Sequence, residues 1–309
     1  MDVFDAVVQN HRAALRADAV AAAHALGLFP ALLTPTSPTD LADHLALNPR
    51  RLRPLLDVLT LEGLLTRDTE GRLSLTEAPQ GPSPEPSVTS GWGRLAQALR
   101  DDSPAPGGDW PLPPEGLRRY HAHLVAVGAV AARELVEHLA PAAGALLDLG
   151  GGAGCYSEAW LSAAPSNRAT LCDRPEVAAL ARGRLGESRV AYREGDLFET
   201  PWGEGFDVAL LANVLHLVGP EACRALIRRA AAAVRVGGLV CVKDLWIDED
   251  RLAPATSVYF ALNMALFTEG GDVHAPRDIA GWLAAEGLGE IQVARLPSGG
   301  VSVTGRRLG

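Results

Sequence analysis

A hydrophobic strand that ends in a run of glycines is the sequence feature that most constrains this fold. Residues 145–154 read ALLDLGGGAG. Leu146, Leu147 and Leu149 suit a buried parallel strand, and the glycines let the backbone approach a ligand closely because they carry no Cβ. Residues 155–164 are expected to form a helix whose N-terminal N–H groups face that ligand. The pattern predicts a nucleotide pocket at one edge of an α/β sheet.

The spacing of the glycines narrows the choice of ligand. They fall as Gly150-x-Gly152-x-Gly154. A dinucleotide-binding fingerprint needs its third glycine one residue later, where Cys155 stands, and the chain has no G-K-[ST] phosphate loop. The spacing disfavours a nicotinamide cofactor and a nucleoside triphosphate. A purely structural turn is the simplest alternative.

Acidic residues end the next two predicted strands. Residues 170–173 form the first of these, and Asp173 can accept two hydrogen bonds from a ribose diol, about twenty residues after the glycines. Residues 190–198 form the second, where Asp196 suits the adenine end of a nucleotide. Further strands are predicted at 206–213 and 238–244.

Four sequence elements stand in the order that one enzyme family shows. They are a D-x-G-G-G-x-G run from Asp148, the acid Asp173, a G-D-L-F element at 195–198, and His216 after the fourth strand. With these elements the chain resembles the class I methyltransferases that use S-adenosylmethionine. More narrowly it resembles the small-molecule O-methyltransferases, typified by plant caffeic acid O-methyltransferase and by bacterial antibiotic-tailoring enzymes. The resemblance covers nearly the whole chain.

The resemblance implies that S-adenosyl-L-methionine is the cofactor and that the acceptor is a small molecule. It implies a cofactor site made of residues near the glycine loop and at the ends of the neighbouring strands. These residues are Gly150, Gly152, Asp173, Asp196, Leu197 and Asn213.

Two residues are candidates for catalysis. The sulfonium cofactor carries an activated methyl group, so the protein must align a nucleophile, remove its proton and exclude water. His216 follows the fourth strand and is predicted to be a general base. Asp244 ends the fifth strand, where it is predicted to orient the imidazole. The alternatives are a surface histidine in a loop and a capping residue at a strand end.

The chain departs from the family pattern at two places. Plant members carry a lysine where this chain has Ala212, so that cofactor contact is lost or supplied by Asn213. In the family's G-G-x-E-R segment, Val273 stands in place of the flanking acid, and Asp272 or His274 is the alternative. The weakened acid pair leaves N- or C-methylation, or a non-methylating reaction on the same scaffold, open.

A helical pattern over residues 257–267 matches the family's substrate-lining helix. The resemblance places Met264 at a substrate contact, and neighbouring aromatic and amide side chains could add to it. The alternative is an ordinary core stripe. The predicted substrate residues are Met264, Phe260, Asn263 and Phe267, for a small aromatic secondary metabolite.

The N-terminal third of the chain has the pattern of a separate helical module. Residues 3–33 repeat apolar residues at helical spacing. Ser37 and Asn48 each precede a proline and are expected to cap two further helices. Residues 64–67 and 72–75 then predict a hairpin. This order is typical of a winged helix-turn-helix.

The winged-helix pattern allows two interpretations. In the family that the chain resembles, this module mediates homodimerisation and covers the partner's substrate pocket. A DNA-binding regulator is the other interpretation, because Arg50, Arg51 and Arg53 lie at the start of the second helix; a solvated helix face is the plain alternative. A net charge of −9 disfavours nucleic acid as a partner.

Length and composition predict two domains. The chain has 309 residues, of which 48% are hydrophobic, enough for two cores. We expect an α-helical winged-helix dimerisation domain at 1–115 and an α/β, Rossmann-like class I methyltransferase domain with a mostly parallel sheet at 116–309. Proline-rich segments at 82–86 and 101–114 are expected to be loops or linkers.

The sequence gives no sign of a membrane or a metal. It has neither a long uncharged apolar run nor a basic N-terminal flank leading into an apolar segment, so we expect a cytoplasmic protein without a membrane span or signal peptide. Its four cysteines lack C-x-x-C spacing and are expected to be buried thiols rather than metal ligands or disulfides. They are Cys155, Cys172, Cys223 and Cys241.

Overall fold

The computed structural model describes residues 3–77, 91–105, 112–139 and 144–309, with side chains from residue 12 onward. The predicted linker at 82–86 and part of the one at 101–114 lie outside the described residues. By their contacts the residues form two compact units. Residues 247–273 group with the N-terminal unit, and residues 274–309 group with the unit that begins at 111. The predicted domain boundary at 115/116 stays a prediction. No feature of the sequence indicated that residues 247–273 group with the N-terminal unit.

The helices and strands are named in chain order. The helices are α1 (Val3–Ala25), α2 (Leu28–Ala31), α3 (Pro38–His44), α4 (Pro49–Leu61), α5 (Leu95–Arg100), α6 (Pro114–Leu139), α7 (Cys155–Ala163), α8 (Pro175–Leu185), α9 (Pro220–Ala233), α10 (Ala255–Phe267) and α11 (Pro276–Ala285). The strands are β1 (Leu65–Arg67), β2 (Leu73–Leu75), β3 (Ala145–Leu149), β4 (Arg168–Asp173), β5 (Val190–Glu194), β6 (Phe206–Ala212), β7 (Val234–Leu245), β8 (Leu288–Arg295) and β9 (Gly300–Arg307).

The second unit contains a seven-stranded sheet in the order β5-β4-β3-β6-β7-β9-β8. Strands β3 to β7 are parallel, and β9 runs antiparallel to both β7 and β8. The predicted α/β fold with a mostly parallel sheet is confirmed. Because β4 and β6 lie on either side of β3, the chain leaves β3 at a topological switch point. Ligands bind at such a point in open α/β sheets.

The central strands are apolar because both faces of the sheet are covered. In β3, Leu147 and Leu149 pack into one core cluster, whereas Leu146 packs with Trp160 in the cluster on the other face. Successive strand residues point to opposite faces, so a strand covered on both sides has no need of polar residues. The continuous hydrophobic run in the sequence follows from this position in the sheet.

The predicted helix starts in the N-terminal unit are confirmed. The hydroxyl of Ser37 accepts a hydrogen bond from the Asp40 N–H at 3.1 Å. The side-chain oxygen of Asn48 accepts one from the Arg50 N–H at 2.9 Å. Each cap satisfies a backbone donor that the first turn of a helix leaves unpaired, and the following proline needs no such partner. The predicted hairpin forms from β1 and β2.

The three arginines at the start of α4 bind groups within the N-terminal unit. Arg51 is buried and pairs with Asp102 at 2.9 Å, and it also donates to the carbonyls of Ala265, Thr268 and Glu269. Arg50 donates to the Glu269 carbonyl at 2.6 Å. Cations at the C-terminal end of a helix satisfy its last carbonyls and its dipole. These side chains therefore secure the end of α10, and a solvated face is wrong for Arg51.

Arg53 and Arg251 form an ionic cluster in the same unit. Arg53 pairs with Asp272. Arg251 pairs with Asp57 at 2.9 Å and with Asp272 at 2.7 Å. Both carboxylates are buried. Burial raises the pKa of Asp57 despite the opposing charge of Arg251, so the cations offset only part of the cost of burying this acid.

The expected buried thiols are found at three of the four cysteines. Cys172, Cys223 and Cys241 are buried free thiols, and Cys155 is half-buried and also free. None of the helices in the described ranges is long and apolar enough to cross a membrane.

Candidate cofactor and active site

The glycine loop after β3 needs glycine both for its conformation and for its space. Gly150, Gly152 and Gly154 have φ values of 67°, 57° and 82°, in the left-handed region. A Cβ at Gly150 would stand 2.7 Å from a methyl carbon of Val214. A Cβ at Gly151 would stand equally close to Leu171. The sequence places four glycines here because side chains would displace the walls of the loop.

Asp173 lies directly against this loop, as its place at the end of β4 predicts. Its carboxylate accepts hydrogen bonds from the backbone N–H of Gly152 and of Arg174, each at 2.8 Å. The Gly150 N–H donates to the Cys172 carbonyl at 2.8 Å. Burial raises the pKa of Asp173, and the two backbone donors oppose that shift. The loop and the acid are therefore brought together.

Asp148 is the first residue of the glycine-rich motif, and its side chain lies next to the loop at Gly151. Its side chain is fully buried, and one carboxylate oxygen accepts a hydrogen bond from the Ser157 hydroxyl at 2.6 Å. The other oxygen has no hydrogen-bond partner within the described residues. Burial raises the pKa of Asp148 to about 6.

Leu197 and Asp196 follow β5, the second of the two strands for which an acid was predicted. A Cβ at Gly150 would lie 3.6 Å from a methyl carbon of Leu197, so Leu197 is next to the glycine loop. The Leu197 carbonyl accepts a hydrogen bond from Arg229. Asp196 is exposed and accepts a hydrogen bond from the Phe198 N–H at 2.7 Å.

Asn213 is held by two neighbours at the end of β6. It has a φ of 57°. Its side-chain oxygen accepts a hydrogen bond from Lys243 Nζ at 2.9 Å, and its amide donates to the Tyr156 hydroxyl at 3.4 Å. Burial lowers the pKa of Lys243. The amide of Asn213 therefore already has partners on two sides.

Lys243 is a site residue that the sequence interpretation missed. It is the only lysine in the chain, and it pairs in register with Ala212 on the neighbouring strand. The lysine that plant members carry at the position of Ala212 is thus matched here by one on β7. Two features of the sequence point to Lys243: it is the only lysine, and it is next to Asp244.

His216 and Asp244 form the predicted pair. His216 lies in a short 3-10 helix, Leu215–Leu217, and its Nδ1 is 2.7 Å from Asp244 Oδ1. The His216 backbone N–H also donates to this carboxylate, at 3.2 Å. Both side chains are buried, with exposed fractions of 7% and 4%. A carboxylate at Nδ1 fixes the tautomer and leaves Nε2 as the basic nitrogen.

Asp244 stays ionised in this environment. Burial alone would raise its pKa, but the charge and hydrogen bond of His216, the Leu245 N–H and the charge of Lys243 together hold the pKa of Asp244 below its usual value. An ionised carboxylate stabilises the imidazolium that forms when His216 takes up a proton.

Asp272 and His274 are the alternatives for the family's second flanking acid, but each binds other groups. Asp272 belongs to the ionic cluster of Arg53 and Arg251. His274 Nε2 donates to the carbonyls of Leu215 and Val218, at 3.1 and 3.0 Å. His274 therefore secures the turn that carries His216.

The four predicted substrate residues share one face of α10. Positions 260, 263, 264 and 267 follow helical spacing. Met264 is buried and Phe260 is half-buried. The Asn263 amide oxygen accepts a hydrogen bond from the Trp92 indole at 3.1 Å, and the ring of Phe267 lies against Gly91. All four belong to the N-terminal unit.

Comparison with known proteins shows the family. The model of an O-methyltransferase domain matches residues 118–288, more than half of the chain. The chain therefore belongs to the O-methyltransferase family, whose members take their methyl group from S-adenosylmethionine. This confirms the resemblance and the cofactor that the sequence motifs predicted.

Two relatives that match most of the chain act in bacterial natural-product biosynthesis. The mitomycin biosynthesis 6-O-methyltransferase of Streptomyces lavendulae is 30% identical over 89% of this chain and 86% of its own. The tetracenomycin polyketide synthesis 8-O-methyl transferase of Streptomyces glaucescens is 28% identical over 87% of this chain and 86% of its own.

Solved structures share the fold. An O-methyltransferase family 2 protein from Planctomyces limnophilus has a TM-score of 0.80 at 22% identity, covering all of this chain and 97% of its own. Human N-acetylserotonin methyltransferase, solved with S-adenosylmethionine, has a TM-score of 0.65 at 24% identity, covering all of this chain and 99% of its own.

The buried carboxyl of Asp148 predicts a pH dependence of stability. A folded-state pKa of about 6 means that the folded protein keeps a proton there that the unfolded chain releases near 3.8. The stabilisation from this proton is complete below the unfolded pKa and is lost as pH rises to about 6. We expect a loss of about 3 kcal/mol in the wild type, and Asp148→Asn should abolish it.

Urea unfolding between pH 4 and 7, followed by tryptophan fluorescence, measures this difference. The control is Asp68→Asn, because Asp68 is an exposed acid whose pKa is lowered by Arg72 and lies outside the window. An identical slope of unfolding free energy against pH in the wild type and Asp148→Asn would contradict the assignment.

Proposed function

We propose that the protein transfers the methyl group of S-adenosylmethionine to a hydroxyl of a small aromatic metabolite, with His216 as the general base. The observation that carries this proposal is the buried contact of 2.7 Å between His216 Nδ1 and Asp244, at the carboxyl ends of β6 and β7. The two bacterial relatives support the oxygen acceptor, since both are named for O-methylation in natural-product biosynthesis.

The residues around the glycine loop fit the cofactor. The loop is a cradle that a Cβ would fill, and Asp173 offers a carboxylate beside it for the ribose hydroxyls. Leu197 borders the same loop and Asp196 follows β5, as an adenine contact requires. Asn213 contributes through the hydrogen bonds that fix it at the end of β6. When bound, S-adenosylmethionine supplies a methyl group activated by its sulfonium.

His216 and Asp244 supply the proton transfer. Asp244 accepts the Nδ1–H of His216 and keeps the ring in one orientation. Nε2 then takes the proton of the acceptor hydroxyl, and the carboxylate of Asp244 stabilises the resulting imidazolium. His274 acts on this step only through the carbonyls of the turn that carries His216.

The face of α10 supports an aromatic acceptor. Met264, Phe260 and Phe267 offer apolar surface, and Asn263 adds an amide. A thioether adapts its shape to flat rings and makes favourable contacts with them. Selectivity among aromatic acceptors would depend on these side chains.

The other interpretations have less support. A buried His–carboxylate pair serves to remove a proton from a hydroxyl. N- or C-methylation, or a non-methylating reaction, does not need the pair for that purpose. A DNA-binding regulator would need cationic side chains that are available to phosphates. Arg50, Arg51 and Arg53 are instead engaged with carbonyls and carboxylates of their own unit.

The N-terminal unit is proposed to be a winged-helix dimerisation module. Its order of α3, α4 and the hairpin β1–β2 follows the helix-turn-helix and wing pattern. In the family that the chain resembles, the same module joins two copies of the protein.

Cofactor binding should depend on Asp173. Replacing it by alanine removes charge-assisted hydrogen bonds to the ribose, worth about 2–3 kcal/mol, so the affinity for S-adenosylhomocysteine should fall about 30- to 100-fold. Calorimetric titration measures this without an acceptor. Glu176→Ala, which removes an exposed acid from the next helix, is the control. Equal affinity of the wild type and Asp173→Ala would remove Asp173 from the cofactor site.

Base catalysis should depend on His216. With an acceptor identified from a panel of phenols, His216→Ala should lower kcat about 10²- to 10⁴-fold, with the cofactor affinity nearly unchanged. The wild-type rate should fall in acid because a protonated imidazole accepts no proton. Asp244→Asn should cause a smaller loss, since the ring keeps a partner but loses the negative charge.

Steady-state kinetics across pH test the assignment of His216 as the base. The control is His123→Ala, which removes an exposed histidine. A His216→Ala variant with the wild-type kcat and pH profile would disprove the base and favour an acceptor that needs no deprotonation.

The dimer should be visible in the full chain. We expect light scattering to give twice the 32.5 kDa of one chain. Hydrogen exchange should show protection that is lost on dilution within the N-terminal unit and not in the sheet. A monomer at all concentrations would contradict this proposal.

A further inference from the structure

His121 is a buried polar side chain that the proposed mechanism leaves without a role. It lies on α6 with an exposed fraction of 7%. Neither Nδ1 nor Nε2 of its ring has a hydrogen-bond partner in the described parts of the chain. An imidazole always carries at least one N–H, and leaving such a donor buried and unpaired costs about 1–3 kcal/mol. Buried polar groups nearly always have a partner, so this ring indicates a missing ligand.

The ring faces the glycine loop. A Cβ built on Gly152 would lie 3.4 Å from His121 Nδ1 and 3.7 Å from its Cε1. The edge of the ring also meets Tyr120, with 5.4 Å between the ring centroids. A Cβ at this position would touch the imidazole, so the ring lies directly against the loop backbone at Gly152.

Burial favours the neutral form of the ring. Burial lowers the pKa of His121, the charge of Asp173 opposes this shift, and Arg174 adds to it. A neutral imidazole offers one N–H donor and one nitrogen acceptor. A ligand group that meets it therefore needs to be polar.

We propose that His121 binds the amino-acid moiety of S-adenosylmethionine, with its N–H donating to the α-carboxylate. The loop leads directly into the N-terminus of α7, where the helix dipole favours an anion. The α-carboxylate is the anionic group of this cofactor. Asp173 repels an anion and suits hydroxyls, so it serves the ribose. This inference rests on the proposed cofactor site.

A comparison of two ligands tests the assignment. S-adenosylhomocysteine contains the amino-acid moiety, whereas 5′-methylthioadenosine keeps the nucleoside but lacks that moiety. His121→Phe retains a ring of similar size and removes both nitrogens. Calorimetry should show an affinity for S-adenosylhomocysteine that is about 10- to 100-fold lower in His121→Phe, with an unchanged affinity for 5′-methylthioadenosine. His121→Gln should recover part of the loss because its amide donates a hydrogen bond.

The matched control is His123→Phe, two residues along the same helix on an exposed position; it should bind both ligands as the wild type does. In the wild type with ¹⁵N-labelled histidine, the ring resonances of His121 should move on addition of S-adenosylhomocysteine and stay in place with 5′-methylthioadenosine.

The outcomes separate this inference from the proposed function. A wild type that binds neither ligand contradicts the cofactor site itself. A wild type that binds both, with His121→Phe binding both equally well, overturns the role of His121. An equal loss for both ligands overturns it too, since the effect would then come from the loop or the nucleoside.

Discussion

The structure of the sheet-containing unit depends on how the chain leaves β3. The backbone must turn within a few residues into α7, between the ends of two neighbouring strands, and left-handed glycines make that turn possible. The same turn brings its N–H groups to Cys172 and Asp173. The turn on which the fold depends therefore also forms the proposed cofactor site, and substitutions that removed its left-handed glycines would disrupt both.

A second dependence follows from the parallel pairing of β6 and β7. Because Ala212 and Lys243 are in register, the carboxyl ends of the two strands lie side by side. His216, which follows β6, therefore meets Asp244 near the end of β7. Asp244 also accepts hydrogen bonds from two backbone N–H groups, of His216 and Leu245. These directional bonds fix the ring, whereas a buried ion pair contributes little net stability by itself.

Local chemistry explains which features could be predicted from the sequence. The caps at Ser37 and Asn48 and the strand that ends in glycines follow from neighbouring residues, so the sequence was enough. The carbonyls that Arg51 binds lie more than 200 positions further along the chain, and the contact between Lys243 and Asn213 depends on strand register. The orientation of His121 depends on which face of α6 meets the loop. Spacing along the chain does not encode these long-range pairings.

The discontinuity of the N-terminal unit has a consequence for synthesis of the protein. Helix α4 is made early, but the carbonyls that Arg51 caps and the Arg251 that neutralises Asp57 belong to residues 247–273. On the ribosome, Arg51 and Asp57 can pair with Asp102 and Arg67, but their other partners are made only after strands β3 to β7. The first helices to leave the exit tunnel therefore reach their final packing only after residues 247–273 have emerged.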